Sequence, residues 1–219
     1  MSASLLQIYA FRHGQTDWNK EGRIQGHLDV PLNDTGRAEG LRLARALRYL
    51  PIRLILSSDL SRAVDTATIT LTEAIRNGWH PVVPILRDAR LREVNLGSLQ
   101  GLTHTEIHAK FGKNLSRKIG TKILSDEDLR DLGSEPVEDL LDRLLTAIDE
   151  IASHPELLAE GAALAVSTHG GVLRRLLHHA GGVEEIGFSI PNAVFFPFTY
   201  DRKKKKLVYV EKIVFAKPL

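Results

Sequence analysis

Two apolar runs, far apart in the chain, end in a histidine followed by glycine. Leu5 to Phe11 stops at Arg12-His13-Gly14, and Ala162 to Val166 stops at Ser167-Thr168-His169-Gly170-Gly171. Runs this short and continuously apolar suit strands buried on both faces, the environment of a parallel sheet. Open α/β sheets gather the carboxyl ends of parallel strands at one edge and bind their ligands there. Taken alone, Arg12 and His13 are explained as well by ordinary polar residues at a strand end.

The intervening sequence supplies alternating elements. Residues 15–33 are polar and glycine-containing, a loop long enough to be functional. A helix is predicted from Asp34-Thr35 to about Leu50 on the spacing of Leu41, Ala44, Leu47 and Leu50, capped by Asp34 or Thr35 and ended by Pro51. Arg53 to Leu56 reads as a strand closing on Ser57-Ser58-Asp59-Leu60-Ser61-Arg62, and the next helix is expected to bury Val64, Ala67, Leu71 and Ile75 before Asn77-Gly78. Val82 to Leu86 is a further strand candidate. Thr103 and Glu106 have capping-box spacing, opening a short helix through Ala109. Residues 111–134 are polar and carry Lys110, Lys113, Arg117, Lys118 and Lys122 in or beside them, so about 103–134 reads as a flap inserted in a single domain spanning 1–219.

Pro136 introduces a long helix striped by Val137, Leu140, Leu141, Leu144, Ile148 and Ile151. The second histidine-ended strand is followed by a helix with Val172, Leu173, Leu176 and Leu177, stopping at Gly181-Gly182. Ala193 to Tyr200 and Leu207 to Phe215 read as a hairpin whose Lys203 to Lys206 turn is solvated and discourages edge pairing.

Composition narrows the chemistry. With 29 basic and 27 acidic residues the formal charge is only +2, against a dedicated nucleic-acid binder, so anion recognition has to be local. The absence of cysteine removes thiolate metal sites and a cysteine nucleophile. No stretch approaches the ~20 apolar residues of a membrane helix, and no leader is evident, so a cytoplasmic protein without membrane partners is expected.

At one sheet edge, Arg12, His13, Arg62 and His169 place two guanidiniums and two imidazoles together. Guanidinium forks match phosphate oxygens, and an imidazole can accept a phosphoryl group. The chain resembles the histidine phosphatase superfamily, in the branch that includes cofactor-dependent phosphoglycerate mutases and related small-molecule phosphatases. The resemblance is carried by Arg12-His13-Gly14-Gln15-Thr16-Asp17-Trp18-Asn19, Gly22-Arg23-Ile24-Gln25-Gly26 with Pro31-Leu32, Ser57-Ser58-Asp59-Leu60-Ser61-Arg62-Ala63, Leu91-Arg92-Glu93 with Gly97 and Gly101, and Ser167-Thr168-His169-Gly170-Gly171, in family order.

That resemblance implies a three-layer sandwich with a mostly parallel central sheet flanked by helices, phosphoglycerate mutase-like. It implies His13 as the nucleophile that becomes phosphohistidine, Arg12, Arg62 and His169 as the phosphoryl clamp, and Glu93 as the acid and base. Asn19, Gln25, Thr16 and Gly170 are the implied phosphate or substrate contacts. Two arginines and an imidazolium would neutralise the equatorial oxygens without metal or cofactor, and His13 should anchor its second ring nitrogen on a backbone carbonyl near Gly14. Two positions depart from the family pattern: Gln100 stands where an acid is common, and Glu135-Pro136 where Glu-Ser is common.

Other readings compete. Glu93 paired with Arg90 or Arg92 would be a plain surface carboxylate. His104 and His108 lie four apart with Glu106 between, but zinc-protease helices put the glutamate next to the first histidine, so they read as surface residues. The function expected is hydrolysis of a small phosphomonoester by a monomer or homodimer. The alternatives are a phosphoglycerate mutase, against which the short stretch after the Glu93 segment argues, and a binding protein that keeps the pocket without turnover.

Overall fold

A computed structural model describes residues 4–115, 126–182 and 190–210. Its centre is a six-stranded sheet in the order β3-β2-β4-β1-β5-β6, built from β1 (Leu5–Arg12), β2 (Ile52–Ser57), β3 (Ile85–Arg87), β4 (Ala163–Thr168), β5 (Phe195–Asp201) and β6 (Lys206–Tyr209). The pairs β1/β4, β4/β2 and β2/β3 are parallel, while β5 joins β1 antiparallel and β6 joins β5 antiparallel. The helices are α1 (Asp17–Glu21), α2 (Asp34–Leu47), α3 (Ser61–Arg76), α4 (His104–Phe111), α5 (Asp126–Asp131), α6 (Val137–Ala152) and α7 (Gly170–His179).

Alternation along each strand makes three layers. Leu6, Ile8 and Ala10 of β1, with Leu164 and Val166 of β4, pack on Leu140, Leu144 and Ile148 of α6 and on Leu173 and Leu176 of α7. Phe11 and Ala165 face the opposite way, onto Leu43 and Leu47 of α2 and Ala67 of α3. Central strands are thus apolar on both faces, as continuous runs require. The sheet is mixed, mostly parallel and helix-flanked, the α/β class expected. Among the described residues no helix is long and apolar enough to cross a membrane.

Several local expectations shift. Asn33, not Asp34 or Thr35, caps α2, its Oδ1 accepting from Gly36 N at 2.9 Å, and the helix ends at Leu47. Leu41 is exposed, because the buried face of α2 runs through Gly36, Gly40, Leu43, Ala44 and Leu47. In α3, Ile75 is likewise exposed, and the buried stripe includes Thr66 and Thr70, whose hydroxyls donate to the carbonyls of Arg62 and Gly40. β3 starts later than Val82. The 15–33 loop contains α1, and Thr103 with Glu106 forms a capping box at α4. Pro136 leaves α6 without a side-chain cap. The expected hairpin is present, with its first strand starting at Phe195 and its second ending at Tyr209; Arg117, Lys118, Lys122 and the end of the last strand expected lie outside the described residues.

Candidate active site

The carboxyl ends of β1, β2 and β4 meet at one edge and deliver His13, Ser57-Ser58 and His169 there. Gly14 turns the chain directly after β1, and a Cβ on it would collide with the Gly36 backbone, so α2 can start against it only because no side chain intervenes. The His13 main chain is pinned from across the sequence: its N–H donates to Thr168 O at 3.0 Å, and its carbonyl accepts from Asn192 Nδ2 at 2.9 Å.

The His13 ring is buried, with Nδ1 2.6 Å from Gly14 O. A carbonyl only accepts, so Nδ1 carries the proton and Nε2 keeps its lone pair. Burial, then the charges of Arg12 and Arg62, push His13 well below the ordinary 6.5. His169 stands beside it, ring centroids 5.1 Å apart. Arg62 Nε donates to His169 Nδ1 at 3.3 Å, which leaves the His169 proton on Nε2, 2.9 Å from Ser58 Oγ. Burial, then Arg62, pushes this imidazole well below 6.5 too. In this arrangement it is a neutral ring and not the imidazolium expected.

The positive charge comes from the arginines. Arg62 has no solvent exposure and donates to Leu28 O and Gly26 O, both at 2.8 Å; burial lowers its pKa to about 10. Arg12 Nη1 donates to Ile190 O, while its Nε is buried without a partner. A buried orphan donor is costly unless something accepts from it, and an oxyanion is the acceptor that suits a guanidinium.

Glu93 reaches the site from the loop after β3. Arg90 pairs with Asp88 and Glu150, and Arg92 with Asp59, so neither arginine claims it. Its carboxylate instead accepts from Gly171 N at 3.0 Å, Val172 N at 3.2 Å and Val94 N at 2.9 Å, capping the start of α7. A Cβ on Gly171 would overlap Glu93 Oε1, so a side chain there would displace the carboxylate from this position. The Glu93 carbonyl is held as well, by His27 Nε2 at 2.8 Å and Arg143 Nη2 at 3.1 Å. Arg143 in turn grips Glu135 through Nε at 2.5 Å and Nη2 at 2.8 Å.

A cavity of about 250 Å³ opens at this edge, and Arg12, His13, Asn19, Gln25 and Glu93 are among its lining. Asn19 spends its Oδ1 on Thr16 N at 3.1 Å, which leaves its amide N–H groups to offer. Gln25 Oε1 is buried without a partner. Thr16 is fully buried, caps α1 and does not line the cavity. Gly170 lies against Arg12, where a Cβ would come 3.2 Å from Nε. Gln100 packs on Gly26 and accepts from His27 N at 2.6 Å, so this departure from the family pattern braces the wall. His104 lines the cavity, while Glu106 is taken up by Thr103 and Arg23. Among the described residues no cluster of three or more metal-ligating side chains occurs.

The two buried neutral imidazoles make stability depend on pH. Their folded pKa lies below the unfolded 6.5, so the unfolded chain binds more protons as pH falls through that value. Stability is therefore expected to be full above pH 6.5 and to drop below it, each ring contributing up to ~1.4 kcal/mol per pH unit until it protonates in the folded state. Urea unfolding at pH 7.5 and 5.5 measures this, and equal stabilities would contradict burial of both rings in neutral form.

Sequence reasoning missed Asn192 and Arg143 as positioning groups, and also Arg175 in the cavity wall. Asn192 sits in a stretch without period, and the two arginines interrupt leucine-rich helices as ordinary polar positions do.

Comparisons with known proteins identify the family. Residues 8–212 match the histidine phosphatase superfamily (branch 1). Phosphoglycerate mutase-like protein 4 of Arabidopsis thaliana is 38% identical over 175 residues, 80% of this chain and 70% of that protein. Glucosyl-3-phosphoglycerate phosphatase of Mycolicibacterium vanbaalenii is 35% identical over 177 residues, 78% of this chain and 72% of that protein. The solved structure of a mycobacterial glucosyl-3-phosphoglycerate phosphatase in complex with VO3 superposes with a TM-score of 0.74 at 29% identity, covering 96% of this chain and 98% of that one. On a match that spans nearly its whole length, this chain belongs to the histidine phosphatase superfamily, branch 1.

Proposed function

We propose that the chain is a phosphomonoester hydrolase that acts on a small phosphorylated metabolite through a phosphohistidine at His13, without a metal ion. The observation that carries this reading is the His13 tautomer: Nδ1 is committed to Gly14 O, so the one lone pair on the ring is at Nε2, in a cavity lined also by Arg12 and Glu93.

Nε2 attacks phosphorus, and the bond to the leaving oxygen breaks as Glu93 delivers its proton there. The ring becomes cationic with Nδ1–H still held by Gly14 O. After the alcohol departs, Glu93 takes a proton from water, whose oxygen attacks phosphorus; inorganic phosphate leaves with the P–N bond electrons returned to Nε2. Arg12 and Arg62 carry the charge compensation, and little covalent help is needed beyond this. Asn19 and Gln25 contact the phosphoryl group or substrate. Thr16 acts one step back, holding Asn19 in place.

Relatives named 2,3-bisphosphoglycerate-dependent phosphoglycerate mutase, such as that of an Arthrobacter species at 31% identity over 89% of this chain and 86% of that protein, keep the mutase reading in play. The short stretch between the Glu93 segment and the late helix favours water as the acceptor. Incubation with 3-phosphoglycerate and the bisphosphate cofactor decides: release of inorganic phosphate is expected to outrun formation of 2-phosphoglycerate. The reverse order makes the protein a mutase, and neither product from these or a wider panel of monoesters makes it a binder.

A further inference from the structure

The turn that follows the nucleophile is held at both of its peptide groups. In the peptide between His13 and Gly14 the carbonyl accepts from Asn192 Nδ2, and the N–H donates to Thr66 Oγ1 at 2.9 Å, whose own proton goes to Arg62 O at 2.7 Å. In the peptide between Gly14 and Gln15 the carbonyl accepts from His13 Nδ1 at 2.6 Å, and the N–H donates to Glu39 Oε2 at 2.7 Å. An imidazole and a carboxylate thus sit at opposite ends of one amide.

Glu39 is brought there by α2. Gly36 and Glu39 stand at i and i+3, and a Cβ on Gly36 would overlap the Gln15 backbone, so this face of the helix lies against the turn itself. Asn33 N–H donates to Gln15 O at 3.0 Å and fixes the approach. The ordinary explanation of Glu39 would be a surface ion pair with Arg42. That pair is loose: Oε1 lies 3.6 Å from Arg42 Nη2, and the arginine side chain is 48% exposed against 13% for the glutamate. Exposed pairs of this kind contribute little. The short bond is made by the other oxygen, Oε2, and goes to the main chain.

A charged acceptor strengthens a hydrogen bond, and bonds in series polarise one another. Pulling on the Gln15 N–H leaves Gly14 O more negative, which draws harder on Nδ1–H and makes Nε2 the better electron donor. As Nε2 takes the phosphoryl group the ring turns cationic, a change that the charges of Arg12 and Arg62 oppose and a carboxylate at the far end of the amide favours. No proton has to move along this line, since Nδ1 keeps its own throughout.

We propose that Glu39 is a positioning residue for the nucleophile, acting through the amide between Gly14 and Gln15 to hold His13 in its Nδ1–H tautomer and to stabilise the imidazolium of the phosphoenzyme. The inference rests on the reading of His13 as the phosphoryl acceptor.

Two measurements on the whole chain test it. The first needs no turnover: with 15N-labelled histidine, the Nδ1–H proton of His13 gives a downfield resonance, assigned by its loss in His13→Ala. Glu39→Gln keeps an acceptor of the same size and removes the charge, and should move that resonance upfield. Glu39→Asp keeps the charge but withdraws it by one carbon and should move it by less, and serves alone if Glu39→Gln does not fold. The second is the single-turnover rate of phosphoenzyme formation from an aryl phosphate, expected to fall about three- to tenfold in Glu39→Gln, the difference between a charged and a neutral hydrogen bond. Inorganic phosphate should bind that variant within about twofold of the wild type. A resonance that does not move overturns the proposal. So does a loss of phosphate affinity as large as the loss of rate, because the Glu39 charge bears on Arg12 as well and would then be serving that guanidinium. A moved resonance in a protein that releases no phosphate from any monoester keeps the hold on the tautomer and loses the hydrolase reading; turnover with an unmoved resonance does the opposite.

Discussion

Replacing His13 by alanine is expected to lower phosphate release by at least about a thousandfold, some 4 kcal/mol of barrier, and to abolish an acid-labile phosphoryl adduct seen by mass spectrometry of the wild-type protein under alkaline quench. The His13 ring keeps a bare lone pair at Nε2 and is held in place by the bond from Nδ1–H to Gly14 O. His169 is not a substitute, because Arg62 donates to its Nδ1 and its Nε2 faces Ser58. Inorganic phosphate should still bind the variant, since Arg12 and Arg62 keep their anchors on the Ile190, Gly26 and Leu28 carbonyls. Acid sensitivity should also weaken by about half, one of two buried rings having gone. An adduct that persists in the variant would place the nucleophile elsewhere.

Glu93→Gln is expected to cost about a hundred- to ten-thousandfold on alkyl phosphates, the range for loss of a general acid, and far less on aryl phosphates whose leaving oxygen needs no proton. The contrast between the two esters separates proton delivery from geometry. Geometry is also at stake: the carboxylate accepts from three backbone N–H groups, and a carboxamide brings a donor to a place built for acceptors. If that clash dominates, both esters fall alike and Glu93 is a positioning residue whose work is to cap α7. The leaving-group series distinguishes these outcomes.

The sheet edge could be read in the sequence because buried parallel strands are continuous apolar runs, and Leu5 to Phe11 and Ala162 to Val166 stop abruptly where the backbone has to turn. Glu93 could not be placed from periodicity, since the loop that carries it has none; only its position in a family motif marked it. The buried faces of α2 and α3 were partly misread because glycines and threonines fill them. Gly40 and Thr70 leave Leu41 and Ile75 outside, and a scan for large apolar residues follows the leucine and isoleucine. Arg143 and Arg175 were invisible for a related reason. Each sits among leucines on a helix, where a lone arginine ordinarily faces water, and what distinguishes them is a partner, or the want of one, across the fold. Thr16 caps α1 with its hydroxyl and also donates to Oδ1 of Asn19, the side chain that lines the cavity.

The threads that tie the first strand to the end of the chain bear on how the protein is made. β1 finds its neighbours only in β4 and β5, and Arg12 and His13 are fastened by Ile190, Asn192 and Val194, some 180 residues downstream. Until β4 and β5 have been made, Leu5 to Phe11 lacks both of its strand neighbours and the α6 and α7 cover of one apolar face, the circumstance in which strands misassociate. A nascent chain that stops before the stretch leading into β5 lacks the fastenings that Ile190, Asn192 and Val194 supply to Arg12 and His13, so the edge those two residues occupy cannot be held until that stretch has been made.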